Sequence, residues 1–245
     1  MPATLFPYPG VLPAFTSTGG ALFFAGGDFS SVELQAMERD GLLRWLYTDS
    51  YVRWDIEPDP VCRALAASHA LPARLREKIM LGRLTAAWVY GCAPVPRRLQ
   101  LLIDHRRRTT ALPPNSPAVL HEVRLDREDG MDIAGIAVTT PLRTAVDLAR
   151  YGPEEEAVQA LQAIAAHPVL HCPLAAVRDA VEAGPRQPGK SAALRRVDLA
   201  LEQAERDQTE RDQAELDQAR RDRPAREQAP PAGPGQTRRR EPVVR

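Results

Sequence analysis

Residues 201–245 offer almost nothing to a hydrophobic core, so any folded body is confined to the positions before them. From Leu201 onward Asp-Gln recurs at 207–208, 212–213 and 217–218, a period of five, and only alanines and Leu216 interrupt the charged run. That period is not the heptad of a coiled coil. The signs of charge balance, which predicts a solvated helix ended by Pro224, with disorder from Pro230 to Arg245. The chain as a whole is 44% hydrophobic, so the remainder is apolar enough for one or two domains with real cores.

Residues 1–20 are rich in Pro, Gly and Thr and read as a flexible N-terminus. Ser30 or Ser31 can then cap a helix carrying Val32, Leu34 and Met37, with Gly41 as its stop. Two strand-like runs follow, Leu42–Tyr47 and Tyr51–Trp54, joined at Thr48-Asp49-Ser50. Helix, glycine and small hairpin together have the shape of a winged helix over 21–57. Residues 58–200 read as a small mixed domain. Val61–Leu71 is a helix with Leu65 inward, Pro72 starts another, and Leu84–Tyr90 repeats at helical spacing until Gly91. Leu99–Ile103 and Ala118–Leu125 are strands, and Asp132–Thr139 is a tight pair turning near Ala134-Gly135. Thr140-Pro141 opens a helix with Leu142, Ala145, Val146 and Ala149 on one face. Helices over Glu154–Ala166 and Pro173–Ala183 complete the body, the last stopped by Gly184. The fold class expected is α+β: an N-terminal winged helix-turn-helix, a small helix/strand domain, and a polar tail over 201–245.

The formal net charge is zero, but it is unevenly spread. Residues 1–57 hold three arginines against seven carboxylates, a net of −4. Residues 58–112 hold ten basic groups against three acidic ones, a net of +7. Arg97, Arg98, Arg106, Arg107 and Arg108 bracket one strand and form the most basic stretch. Such a stretch is either a solvated face or a contact surface for nucleic acid or an acidic partner.

Several chemistries find no support. Cys62, Cys92 and Cys172 are far apart and odd in number, with no C-x-x-C, so they read as buried or idle thiols. No apolar run approaches the ~18–20 residues that span a bilayer. Met1 to Gly10 has three prolines and no basic n-region, so a cytoplasmic location is expected. Gly184–Ser191 fits G-x-x-x-x-G-K-[ST] literally, but a helix precedes it and two prolines remove N–H groups a phosphate would need. An inter-helix loop is expected there instead. The Asp/Glu-x-Lys signature of metal-dependent nucleases is missing, because Arg76 and Pro188 stand two before Lys78 and Lys190. His121-Glu122 lies in a strand, where neighbours point to opposite faces, and His167 and His171 flank a loop. No catalytic residue, cofactor or metal is implied, and the body reads as non-enzymatic.

Three segments in order carry a resemblance. They are Glu38–Arg44 (ERDGLLR) through Tyr51-Val52, Gly82–Gly91 (GRLTAAWVYG) and Ile136–Ala149 (IAVTTPLRTAVDLA). Together they resemble the AbiEi family of antitoxins and transcriptional regulators, in its actinobacterial form without a C-terminal endonuclease domain. A relative with a nuclease would begin it just after Leu199, with Glu205 or Glu210 near its first acidic position; here the polar repeat takes over. The resemblance covers roughly Phe29 to Ala200. It implies a winged helix binding its own operator DNA, and a region that counters a nucleotidyltransferase-like toxin without a stable complex (type IV). It also places the motif's first helix near Gly20–Gly27, where two Gly-Gly pairs depress helix propensity by ~1 kcal/mol per glycine.

Two functions follow from these readings. In the first the chain is a DNA-binding autoregulator and antitoxin, with Ser31, Gln35 and Arg39 facing the major groove and Arg44 and Arg53 in the wing holding phosphates, as a homodimer on a palindrome. In the second it is a degenerate relative without DNA binding, which uses the Arg97–Arg108 surface for a protein partner.

Overall fold

The computed structural model describes residues 22–106, 112, 115–186 and 188–221. The expectations for residues 1–20, for Arg107 and Arg108, and for the tail beyond Arg221 lie outside the described residues.

The chain starts with a small sheet crossed by one helix: β1 (Leu22–Phe24), α1 (Ser31–Arg39), β2 (Leu43–Tyr47) and β3 (Ser50–Arg53). The strands are antiparallel in the order β1-β3-β2. Ser30 caps α1 by a capping box: its hydroxyl accepts from the Glu33 N–H, and the Glu33 carboxylate accepts from the Ser30 N–H at 2.8 Å. Gly41 follows the helix at φ +73°, a left-handed geometry that glycine takes freely. Leu34, Leu43 and Tyr51 form the cluster beneath. Val32, expected on the inner face, is 71% exposed instead.

The helix expected near Gly20–Gly27 is not formed by the described residues there. Leu22-Phe23-Phe24 is strand β1, and the chain turns through Gly26 at φ +85°. An apolar aromatic run suits a pleated edge, and the glycines that follow disfavour a helix. The described residues therefore show a mixed α and β arrangement with one helix in the β1–β2 connection.

The larger body contains α2 (Pro60–His69), α3 (Ala73–Arg76), β4 (Met80–Leu81), α4 (Arg83–Val89), β5 (Leu99–Asp104), β6 (Ala118–Val123), β7 (Gly130–Ile133) and β8 (Ile136–Thr139). Four helices follow: α5 (Pro141–Tyr151), α6 (Glu154–Ala166), α7 (Leu174–Ala183) and α8 (Lys190–Arg221). Strands β4 to β8 form one mixed sheet in the order β6-β5-β4-β8-β7. The β7–β8 hairpin closes through Ala134 and Gly135, both at positive φ, which matches the right-handed twist of the strands. Thr140 caps α5 with Pro141 behind it, as the sequence predicts. Its buried face differs from the expected one. Leu142 is 41% exposed, while Asp147 is buried. Leu65 in α2, expected to face inward, is only half-buried, whereas Ala64, Ala66 and Ala67 are fully buried.

The small sheet and the body share one core. Leu46 and Tyr47 belong to the main cluster, and the Tyr47 ring lies 5.6 Å from that of Trp88. The Tyr47 hydroxyl donates to the Pro117 carbonyl at 3.2 Å. This compact unit runs as far as Ala204, and Ala193, Val197 and Ala200 bring the first part of α8 into it. The remaining turns of α8 explain the five-residue repeat. Each Gln stands four residues before the next Asp, so Gln208 donates to Asp212 at 2.6 Å and Gln213 to Asp217 at 3.1 Å. Pairs at this spacing add ~0.2–0.5 kcal/mol each to a helix. Among the described residues no helix is long and apolar enough to cross a membrane.

Candidate functional site

The residues expected to read DNA share an open surface of α1. Ser31 is half-exposed, and Gln35 and Arg39 are exposed, one helical turn apart. Gln35 donates to the Ser31 hydroxyl at 3.3 Å, and Arg39 Nε donates to the Gln35 carbonyl at 3.2 Å. The two arginines expected to hold phosphates already have carboxylates. Arg53 makes a two-pronged contact with Asp55, at 2.8 and 2.5 Å, and Arg44 meets Glu57 at 3.2 Å and donates to the Ile56 carbonyl at 2.6 Å. The Arg53 partner holds the Asp55 carboxyl below its usual value. Phosphate would have to displace these partners.

Of the five-arginine stretch, only Arg97, Arg98 and Arg106 fall within the described residues. Arg97 and Arg98 precede β5, whereas Arg106 follows it. The six-residue strand between them spans about 20 Å. Arg106 N–H donates to the Asp104 carboxylate at 2.9 Å.

Arg97 and Arg98 instead line a groove of about 660 Å³ whose inner wall is Arg83, His121 and Tyr151. Local packing dictates this wall. A Cβ at Gly82 would sit 2.6 Å from Leu102 Cγ, so the backbone reaches β5 only as glycine. Gly82 N–H donates to the Gln100 carbonyl at 3.0 Å, and the Thr85 hydroxyl accepts from Gln100 N–H at 2.7 Å. These bonds fasten the start of α4 to β5, and Arg83 between them stands at φ +51°. A left-handed conformation costs a residue other than glycine ~1–2 kcal/mol.

Arg83 is held between two rings. Its Cζ lies 4.6 Å from the centroid of Tyr151, and Nη1 lies 3.2 Å from both nitrogens of His121. Among the described residues no carboxylate is within ion-pair distance, and the buried Nε has no hydrogen-bond partner. Burial lowers the guanidinium's pKa, Asp147 and Tyr151 oppose this through space, and Arg143 adds to it. His121 is lowered as well, by burial and by the Arg83 charge, so its ring favours the neutral form. Glu122 points away and is exposed, the alternation expected of a strand.

A buried polar network stands behind this groove. Arg143 joins Asp147 at 2.9 Å and Asp129 at 2.6 Å, tying α5 to the turn before β7. Burial pushes the Asp147 carboxyl up, with Arg143 and Arg83 pulling against it. The Thr139 and Thr144 hydroxyls meet at 2.6 Å, and the Tyr90 hydroxyl donates to the Thr139 carbonyl. These bonds join the end of β8 to α5 and to the end of α4, and α5 to the turn before β7. Arg83, Arg143 and Asp147 fall inside the quoted resemblance segments, but the sequence assigned them no site role, and it did not mark Tyr151. The available signals were an Arg–Asp pair four apart in a helix and an arginine directly after a glycine at a helix start.

Other candidates resolve simply. The P-loop-like run leaves α7 at Gly184 and enters α8 at Lys190, whose ammonium donates to the carbonyls of Glu182 and Gly184 at 2.6 and 2.7 Å. Gln187 within it lies outside the described residues. The three cysteines are free and buried, and burial pushes Cys92 and Cys172 up to about 11. Glu205 and Glu210 are exposed on α8. No protein-family model and no curated protein matches this sequence.

Proposed function

We propose that the chain is a DNA-binding autoregulator and antitoxin of the type IV kind, with α1 as its reading helix and operator DNA as its partner. The observation that supports this is the placement of α1. It occupies the β1–β2 connection of an antiparallel sheet ordered β1-β3-β2, and Leu34 alone is buried. Ser31, Gln35 and Arg39 are thereby left for base edges, and the β2–β3 hairpin is left to lie along the phosphates. A nucleotidyltransferase-like toxin would be countered through its action, without a stable complex. The protein would be cytoplasmic and would carry no reaction of its own.

The test is fluorescence anisotropy of the full chain on DNA from upstream of its own gene, against scrambled DNA, over a salt series. Preference for the upstream DNA, lost in Arg39→Ala, supports the reading. Arg44 and Arg53 should together contribute a log–log salt slope of about −1.8 per monomer if both reach phosphate, and almost none if they stay with their carboxylates. Equal weak binding to both DNAs overturns it.

A second reading, protein-partner binding through the basic surface, is favoured by one observation. Arg97 and Arg98 have no ion-pair partner among the described residues. Its test is a complex that survives nuclease treatment and is lost in Arg97→Glu.

A further inference from the structure

We infer that the groove between Arg83 and Arg97-Arg98 binds a phosphate monoester with a flat apolar body, of which a nucleoside monophosphate is the type. This does not depend on how α1 is used. Three guanidinium groups line the groove, and Glu156 is the one carboxylate among the described lining residues. Arg83 has no carboxylate in ion-pair range, Arg97 is exposed, and Arg98 donates to a backbone carbonyl, that of Ala118, at 2.9 Å. Three uncompensated cations around one hollow suit a multiply charged anion better than a single carboxylate.

The groove is also built in a way a solvated arginine cluster is not. Arg83 is kept in a left-handed backbone conformation, stacked on Tyr151 and buried at Nε without a partner. Conformations of this kind persist only where the surroundings over-determine them, and they gather at ligand sites. The remaining wall is apolar, formed by Pro94, Val95 and Pro96, and Gln100 and Gln159 supply amides. The volume, about 660 Å³, lies in the range of small-molecule sites. The phosphate sits at the arginines and the flat body lies along the proline wall.

The experiment is calorimetric titration of the full chain with adenosine 5′-monophosphate, adenosine and inorganic phosphate, at about 0.15 M NaCl to screen diffuse attraction. The monophosphate should bind at one site per chain, at least about tenfold tighter than adenosine or phosphate alone. Arg83→Gln and, separately, the exposed Arg97→Gln should each weaken it by about tenfold, with circular dichroism unchanged, while Arg53→Gln leaves it as it was. Adenosine binding as tightly as the monophosphate overturns the inference, because the arginines would then be idle. So does the lack of any binding by the monophosphate, and so does an Arg97→Gln variant that binds as the parent does.

Discussion

Two sets of arginines in this protein look alike in the sequence and differ in the fold. Arg44 and Arg53, on the small sheet, spend their charge on Glu57 and Asp55. Arg83, Arg97 and Arg98, on the larger body, face a groove and have no carboxylate in ion-pair range among the described residues. The difference follows local charge density. The first segment carries a surplus of carboxylates, and Arg44 and Arg53 each find one within thirteen residues. The second carries a surplus of arginine, and the Gly82–Gln100 contact pulls one of them inward. A count of arginines thus says little about which can receive an anion; the carboxylates beside them decide.

This contrast can be broken or sharpened in several ways. The largest effect should come from the joint between the regions. Trp88 is 3% exposed and packs on Tyr47, so Trp88→Ala should cost about 3–5 kcal/mol in urea unfolding. A single transition seen by fluorescence and by circular dichroism would show both arginine sets standing on one cooperative unit; two separated transitions would show the small sheet unfolding alone.

Gly82→Ala comes next, at about 1–3 kcal/mol, because the new methyl meets Leu102 inside a filled core. If thermal unfolding shows no loss, the close approach that shapes the groove is not a real constraint.

Freeing the paired set is the direct test of the comparison. Asp55→Asn combined with Glu57→Gln removes both carboxylates, and the log–log salt slope of DNA binding should steepen by about 1.8. An unchanged slope means that Arg44 and Arg53 do not reach phosphate even when unpaired.

The groove should also respond to acid. The folded pKa of His121 lies below the ordinary value of about 6.5, through burial and the Arg83 charge, so the fold favours the neutral ring. Its contribution is complete above 6.5 and is lost as pH falls from there through the depressed folded value. His69 shifts the same way, by burial and by the charge of Arg76. Urea titrations from pH 7.5 to 5 should show falling stability, with a smaller fall in His121→Gln; an identical fall would assign the effect elsewhere.

The smallest effect expected is on stability in Arg83→Gly. Relief of the left-handed backbone and of a desolvated cation should offset the lost contact with Tyr151, leaving thermal unfolding within about 1 kcal/mol of the parent. A large loss would make Arg83 a structural residue.

Much of the fold was legible because it is set by neighbours in the chain. Ser30 and Thr140 cap their helices with side chains that reach three residues on, and Ala134-Gly135 closes its hairpin with two. The P-loop-like run was correctly read as a loop for the same reason: the helix before it is visible in its periodicity. The readings that failed needed distant partners. Leu142 faces out and Asp147 faces in because Arg143, held also by Asp129, makes a buried carboxylate tolerable. The first helix of the motif gave way to a strand because β3 was there to pair with Leu22–Phe24.

The amino-acid sequence by itself determined roughly where the core ends, where most of the helices cap and stop, and that positive charge gathers between residues 58 and 112. These are properties of composition and of spacing along the chain. Only the tertiary structure decided which arginines are spent and which are open. Arg97, Arg83 and Tyr151 are far apart in sequence and meet because β5 lies against β4 and α5 packs on α4. An ion pair or an anion site depends on a few ångströms between such residues, and that distance is fixed by packing.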